Sequence, residues 1–438
     1  MGASSLSTLE TSLKRKYSDE FFTPAYNIQV PFWSLLQNEA KNIPLEGEGY
    51  YFPFYLATPQ NIGTPAETGA IPTRKQRDEV QGRVRPAQFI ASFELSWILE
   101  AVANSNQGAW NKGEIKRHMW ESITDLTKHV NRIYAGTHGS GRLAQVNAGT
   151  SSSANFVAKI GGAGVEEPMG ALLLRPNMSI EIYDDDTGSG SLENTGVIIN
   201  KIVQSTREIQ TDTSMTLDAD DHVYITGSYG QSTVANGIMG LVDDGALAAS
   251  VHNQLRSSYE ELKSIVSRSS SSLRQLSEEL MLQTVLRVVT ESGQRPDCVL
   301  MNAGQIEKYL AFVRPDRRYN LSGKGVPAYT TGYDDNLEFH YGGTVAKIKL
   351  MDDLPPRTVI FMTSSVMRRF TTLRMQWKIG RNGDLFMPGI SSSNYTTTYV
   401  AALAHIDNIG TYMPRAHARI ADLSDAVLCG AQYGGSDT

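Results

Sequence analysis

Segment 46–90 holds two extended runs, YYFPFYL and DEVQGRVRPAQF, on either side of ATPQNIGTPAETGAIPTRKQR, which is rich in Gly, Pro, Thr and Asn. The pattern predicts a β-hairpin whose tip is longer than the roughly 12–15 residues beyond which loops in compact domains are usually functional or disordered. Two strands cannot bury themselves alone. The expectation is a hairpin that rests on a neighbouring molecule. The segment before it, 1–45, joins a predicted short amphipathic helix (Leu9, Leu13, Tyr17) to FFTPAYNIQVPFWSLL, where prolines prevent one continuous element. It reads as an arm lying across something else. Candidate inter-subunit contacts are therefore Phe21, Phe22, Tyr26, Phe32 and Trp33 from the arm, with Tyr51, Phe52, Phe54, Ile62, Ile71 and Lys75 from the hairpin.

Beyond the hairpin the period changes. Ile115, Met119, Ile123, Leu126, Val130 and Ile133 recur at spacings of four and three, which predicts an amphipathic helix over about 111–134. Gly136 stands where a left-handed C-cap is expected. The glycines of YAGTHGSGRLAQV have phosphate-loop spacing, but Arg142 and Leu143 replace the Lys and Ser or Thr of that motif. A phosphate loop also follows a strand and opens a helix, whereas this one follows a helix. The expectation is a capped helix end and a flexible exit loop through VNAGTSSSAN.

Residues 155–230 read as β, with strands at MSIEIY, GVIINKIV and DHVYITGS. From about 237 the pattern is α/β. Ser272 and Gln275 predict a capping box for a helix ending before Gly293. The strand Cys298–Met301 and a second cap from Asn302 and Gln305 come next, opening the helix QIEKYLAF. LEFHYGGTVAKIKLMDDLPPRTVIFM, NYTTTYVAALAHI and RAHARIADL read as later strands. The chain of 438 residues is too long for one core, so two domains or a core with a large insertion is expected.

Chemistry finds few footholds. Asp186-Thr187-Gly188-Ser189 has the form of an aspartic-protease triplet, but that mechanism needs two carboxylates sharing a proton and no second copy exists. Three adjacent aspartates fit a solvated turn. The eight histidines lack metal-ligand spacing, and two cysteines, Cys298 and Cys429, cannot build a disulfide framework. Met301-Asn302-Ala303-Gly304 lacks the glycines of a dinucleotide turn. No cofactor or metal is expected. A net charge of −6 argues against a dedicated nucleic-acid binder. No stretch of about 18 apolar residues predicts a membrane span, and a soluble intracellular product is expected.

IYAGTHGSGRLAQV, DHVYITGS before GIMGLVDDG, RPDCVLMNAGQIEKYL and YGGTVAKIKLMDDLPPRTVIFM, taken in that order, resemble the major capsid protein family of tailed bacteriophages. Its Hong Kong 97 fold is shared with encapsulins. The resemblance covers nearly the whole chain and implies an α+β protein: N-terminal arm (1–45), extended E-loop hairpin (46–90), P-domain with the spine helix and a β-rich region (91–236), A-domain (237–390), and returning strands with a C-terminal tail (391–438).

The resemblance further implies a non-enzymatic shell subunit that self-assembles as pentamers and hexamers in the host cytoplasm and ends in the virion. Portal and a separate scaffolding protein are the implied partners, with room left for a decoration protein. Packaged double-stranded DNA would be held without sequence specificity, and no membrane is involved. The same-fold alternative is an encapsulin-type compartment, and the alternative of another class is an α/β enzyme using residues 295–312. One relative cross-links an E-loop lysine to a P-domain asparagine. Lys75 is flanked by Arg74 and Arg77, a hydrated setting that keeps it protonated, and neither Asn382 nor Asn394 is marked as its acceptor. A shell without covalent cross-links is expected.

Overall fold

Pro31 fixes the first position of helix α1 (Pro31–Glu39), where its missing N–H costs nothing. The computed structural model describes residues 30–57, 62–64, 67–70, 78–96, 110–136, 141–160, 169–185, 190–203, 206–229, 235–269, 272–313, 337–379, 387–391 and 394–424. The sequence reading missed α1, although proline at N1 was the available signal. Phe32, Trp33, Leu35 and Leu36 are buried. Each buried Phe or Leu side chain contributes roughly 1.5–3 kcal/mol.

Strand β1 (Lys41–Pro44) follows directly, then the hairpin strands β2 (Tyr50–Ala57) and β3 (Asp78–Val84). The return predicted over 78–89 does not continue as one strand. It breaks at Arg85-Pro86, and β4 (Ala87–Ser96) joins a different sheet. Helix α2 (Trp110–Gly136) occurs where the apolar spacing placed it. Gly136 is its last residue rather than a left-handed cap; a Cβ there would sit 2.7 Å from the Asp353 carbonyl oxygen, so close packing requires the glycine. Among the described residues of this loop, the left-handed glycine is Gly141, at φ 77°.

From Gly141 on, the exit is not a flexible loop. Leu143, Ala144 and Val146 are buried, and β5 (Ala144–Gln145) leads into β6 (Thr150–Val157). With β7 (Ser179–Tyr183), β8 (Leu192–Val203), β9 (Glu208–Leu217) and β10 (His222–Ile225) they form a six-stranded sheet ordered β5-β10-β7-β8-β9-β6. Polar β6 is an edge strand, paired to β9 with two register shifts, which explains why TSSSAN reads as a loop. Phe156, Ile180, Ile182, Ile199, Ile209 and Val223 lie in this sheet's core.

The short strands β11 (Ser250–Val251) and β12 (Gln254–Leu255) make a tight hairpin before β13 (Ile265–Ser267). Helix α3 (Glu278–Ser292) is capped by Ser277, whose hydroxyl accepts from Leu280 N at 3.2 Å, not by Ser272 and Gln275. Arg274 forms a bridge with Leu423, so that stretch is extended. Gly293 ends α3 in the left-handed conformation, as expected. Strand β14 (Cys298–Met301) and helix α4 (Ala303–Val313) follow. Strands β15 (Glu338–Tyr341), β16 (Thr344–Leu350), β17 (Val359–Met362), β18 (Met367–Trp377), β19 (Met387–Ser391), β20 (Asn394–Thr411) and β21 (Ala418–Ile420) complete the described chain.

The second six-stranded sheet is mixed, ordered β13-β21-β17-β14-β16-β15, with Met281, Val285 and Val288 of α3 and Ile306 of α4 in its core. Another sheet is ordered β1-β18-β20-β19, with β4 on β20. Two compact units result. In one, which includes residues 89–128 and 375–405, Phe93 stacks on His118 at 5.9 Å and meets Trp377 edge-on at 5.7 Å. The other holds the remainder of the described chain and both six-stranded sheets.

Inside the second unit the mixed sheet borders a buried charge cluster. Asp243 accepts from Gly245 N, Leu247 N and Ala248 N at 2.8, 2.9 and 3.1 Å, and from Arg419 at 2.6 Å. Arg256 sits 4.0 Å from the same carboxylate and donates to the carbonyls of Gly240, Leu241, Ala248, Ser250 and Leu262. Burial pulls the Arg256 guanidinium down to about 10, which still leaves it charged at neutral pH. Asp243, Arg256 and Arg419 are all fully buried.

Candidate assembly surfaces

Strand alternation decides which hairpin side chains face out. β2 and β3 are antiparallel, with Tyr51 opposite Arg83, Pro53 opposite Gln81 and Tyr55 opposite Glu79. Phe52 and Phe54 point the other way and are buried in their own chain. Phe52 packs on Phe54, Tyr412 and His252 with ring centroids 4.9, 5.0 and 5.4 Å away, and lies near-parallel to Phe370 at 6.5 Å. Gly82 makes room for these rings, since a Cβ there would come within 2.7 Å of Phe54.

The proposed contacts therefore separate. Phe32, Trp33, Phe52 and Phe54 are buried within the chain and offer little surface to a neighbour. Trp33 is held from several sides: its N–H donates to Asn131 Oδ1 at 2.9 Å, its ring stacks on Tyr134 at 5.9 Å, and the Arg369 guanidinium lies over it at 4.4 Å. The apolar arm and hairpin are thus partly satisfied inside one chain, against the expectation that neighbours alone would cover them. Ile62, at 92% exposure, and Tyr51, at 46%, do face outward. Tyr55, at 61%, is a further outward aromatic that the sequence reading did not select, although the in-out alternation of YYFPFYL pointed to it. Phe21, Phe22, Tyr26, Ile71 and Lys75 lie outside the described residues, as do Asn382, Cys429 and the 186–189 triplet.

Where a nucleotide phosphate would approach the start of α4, the chain fills the space itself. Asn302 Oδ1 accepts from Gly304 N at 3.3 Å and its amide donates to Leu354 O at 3.2 Å. Gln305 donates to the carbonyls of Pro356 and Ser424, both at 3.0 Å, instead of closing a capping box. Cys298 is buried and its thiol is pushed up to about 12 by burial, then by Asp297, so the reactive thiolate is absent at neutral pH. Among the described residues no group of three or more His, Cys, Asp or Glu could hold a metal, and no helix is long and apolar enough to cross a membrane.

No family model matches the chain and no curated protein matches it. Solved structures do. The subunit of the cyanophage A-1(L) capsid asymmetric unit aligns over 94% of this chain and 97% of its own, at 9% identity and a TM-score of 0.56. The capsid subunit of a native gene transfer agent (GTA) particle aligns over 97% of this chain and 100% of its own, at 9% identity and a TM-score of 0.50. At such identity the likeness is one of fold, carried by the order and pairing of elements. Over nearly its whole length, the chain has the fold of these phage-type capsid subunits.

Proposed function

We propose that the chain is the major capsid protein of a tailed double-stranded DNA phage, with a Hong Kong 97-type subunit that builds a closed icosahedral shell from pentamers and hexamers. The observation that carries this reading is the end-to-end fold likeness to the cyanophage and GTA capsid subunits. The hairpin adds to it, with a two-stranded ribbon outside the larger sheets that turns Tyr51 and Tyr55 outward. In this reading 1–45 is the arm, 46–90 the E-loop, 91–236 the P-domain and 237–390 the A-domain, with 391–438 returning to both. The chain acts without catalysis, assembles in the host cytoplasm with portal and scaffolding proteins, and encloses DNA without reading its sequence.

Electron micrographs and light scattering of the expressed protein test it. Closed shells are expected, and a monomer at micromolar concentration under every assembly condition would sink the reading. Removing residues 58–75 and joining the strands by a short Gly-containing turn should leave the subunit folded, because shortening the loop lowers its closure cost, by about 1–2 kcal/mol. Shells of that variant should fail or be fragile; an unfolded subunit would instead place the tip in the chain's own core. Mature particles boiled in SDS without reductant should run as a monomer near 48.1 kDa. Ladders of pentamer and hexamer size would show cross-links that this reading does not contain.

A further inference from the structure

The turn joining β11 to β12 holds two non-glycine residues in the left-handed region, His252 at φ 47° and Asn253 at φ 66°. Positive φ at both central residues belongs to a two-residue hairpin turn, and the surroundings fix where that turn docks. Here the surroundings are the root of the hairpin. The His252 carbonyl accepts from Arg83 N at 2.9 Å, and Gln254 Nε2 donates to Gln81 O at 2.7 Å. Residues 81 and 83 point their backbone groups to the same side of β3, so both bonds fall on one edge of that strand. The His252 ring meets Phe52 edge-on at 5.4 Å and lies nearly parallel to Phe54 at 6.0 Å. Its Nε2 lies 3.1 Å from Thr411 O and 3.2 Å from Thr411 N, on the end of β20. Gly410 is required beside it, since a Cβ would come within 2.6 Å of the imidazole.

We propose that this turn is a latch that sets the direction in which the hairpin leaves the subunit, with His252 and Gln254 as its positioning residues. Among the described residues β2 and β3 pair only with each other, and a ribbon of two strands is marginal alone, so the contacts at its root weigh heavily on its direction. The lever is long. At about 3.3 Å per residue β2 spans about 26 Å, and a rotation of about 10° at the root moves its far end by about 4–5 Å. The latch belongs to the single subunit; its use in fixing shell curvature rests on the capsid reading.

Hydrogen exchange on the unassembled full chain tests this with Gln254→Ala, which removes one edge bond from a half-buried side chain, and His252→Asn, which keeps a residue that tolerates the left-handed turn but deletes the ring. Amides of 50–57 and 78–84 should exchange faster by on the order of tenfold in each variant, with 278–301 unchanged. Unchanged hairpin exchange in both variants overturns the latch. If His252→Asn speeds exchange everywhere, Gln254→Ala decides: local acceleration supports the latch and none overturns it. Shells of the variants should vary in size where the parent's are uniform. A parent that forms no shells refutes the capsid reading and leaves the exchange result standing.

Discussion

Asp243→Ala is expected to leave little folded subunit at all. The substitution removes the acceptor of three backbone N–H groups and strands Arg419 and Arg256 in a fully buried site. Breaking a buried ion pair from one side costs about 3–5 kcal/mol, because the remaining charge keeps its desolvation cost and loses its counter-charge. A domain with a net stability of about 5–15 kcal/mol loses a large share of it. Arg256 cannot move out, since five carbonyls from Gly240 to Leu262 hold its guanidinium. Urea unfolding should show a midpoint far below the parent's, or an insoluble product. As a control, Lys263→Ala breaks an exposed pair with Glu260 and should shift stability by less than about 1 kcal/mol. A midpoint for Asp243→Ala within that smaller range would mean the cluster is solvated in solution.

Periodic elements were legible in the sequence, and contacts between distant segments were not. The apolar stripe of α2 and the run Cys298–Met301 announced themselves because their burial pattern repeats locally. β6 hid because an edge strand with one mostly exposed face carries no alternation, and Thr150–Asn155 is polar. Gly136 was given the wrong reason, since its need is the Asp353 carbonyl, more than two hundred positions away. The hairpin side chains show the same limit. Phe52 and Tyr51 are equally aromatic neighbours, and only the register with β3, together with Phe370, His252 and Tyr412, separates the buried ring from the exposed one. No local pattern links Asp243, Arg256 and Arg419, and their association is set by the tertiary fold.

Acid should weaken the subunit before it titrates ordinary carboxylates. His252 and His417 are both buried, and burial holds each imidazole down to about 3 from the usual 6.5. The His417 geometry shows what protonation would break: Nδ1 accepts from Thr363 N at 3.2 Å, while Nε2 lies 2.9 Å from the Thr411 hydroxyl. A proton on Nδ1 would oppose the Thr363 N–H. His252 meets the backbone of the same Thr411, so the two rings brace one residue at the end of β20. Because both folded values lie below the unfolded one, the folded chain binds fewer protons than the unfolded chain. Stability is complete above about pH 6.5 and is lost as pH falls from there toward about 3. At pH 5 each group has removed about 2 kcal/mol, so the pair removes about 4 kcal/mol. His129 is lowered to about 4 by burial and then by Arg132, but its side chain is only half-buried and it adds less. Denaturant midpoints measured between pH 7 and pH 5 avoid most carboxylate titration and read the histidines. His417→Gln should be less stable at pH 7, where it loses a fitted ring, yet should lose only about half as much stability on acidification. If the variant and the parent fall equally steeply, His417 is not the group that takes up the proton.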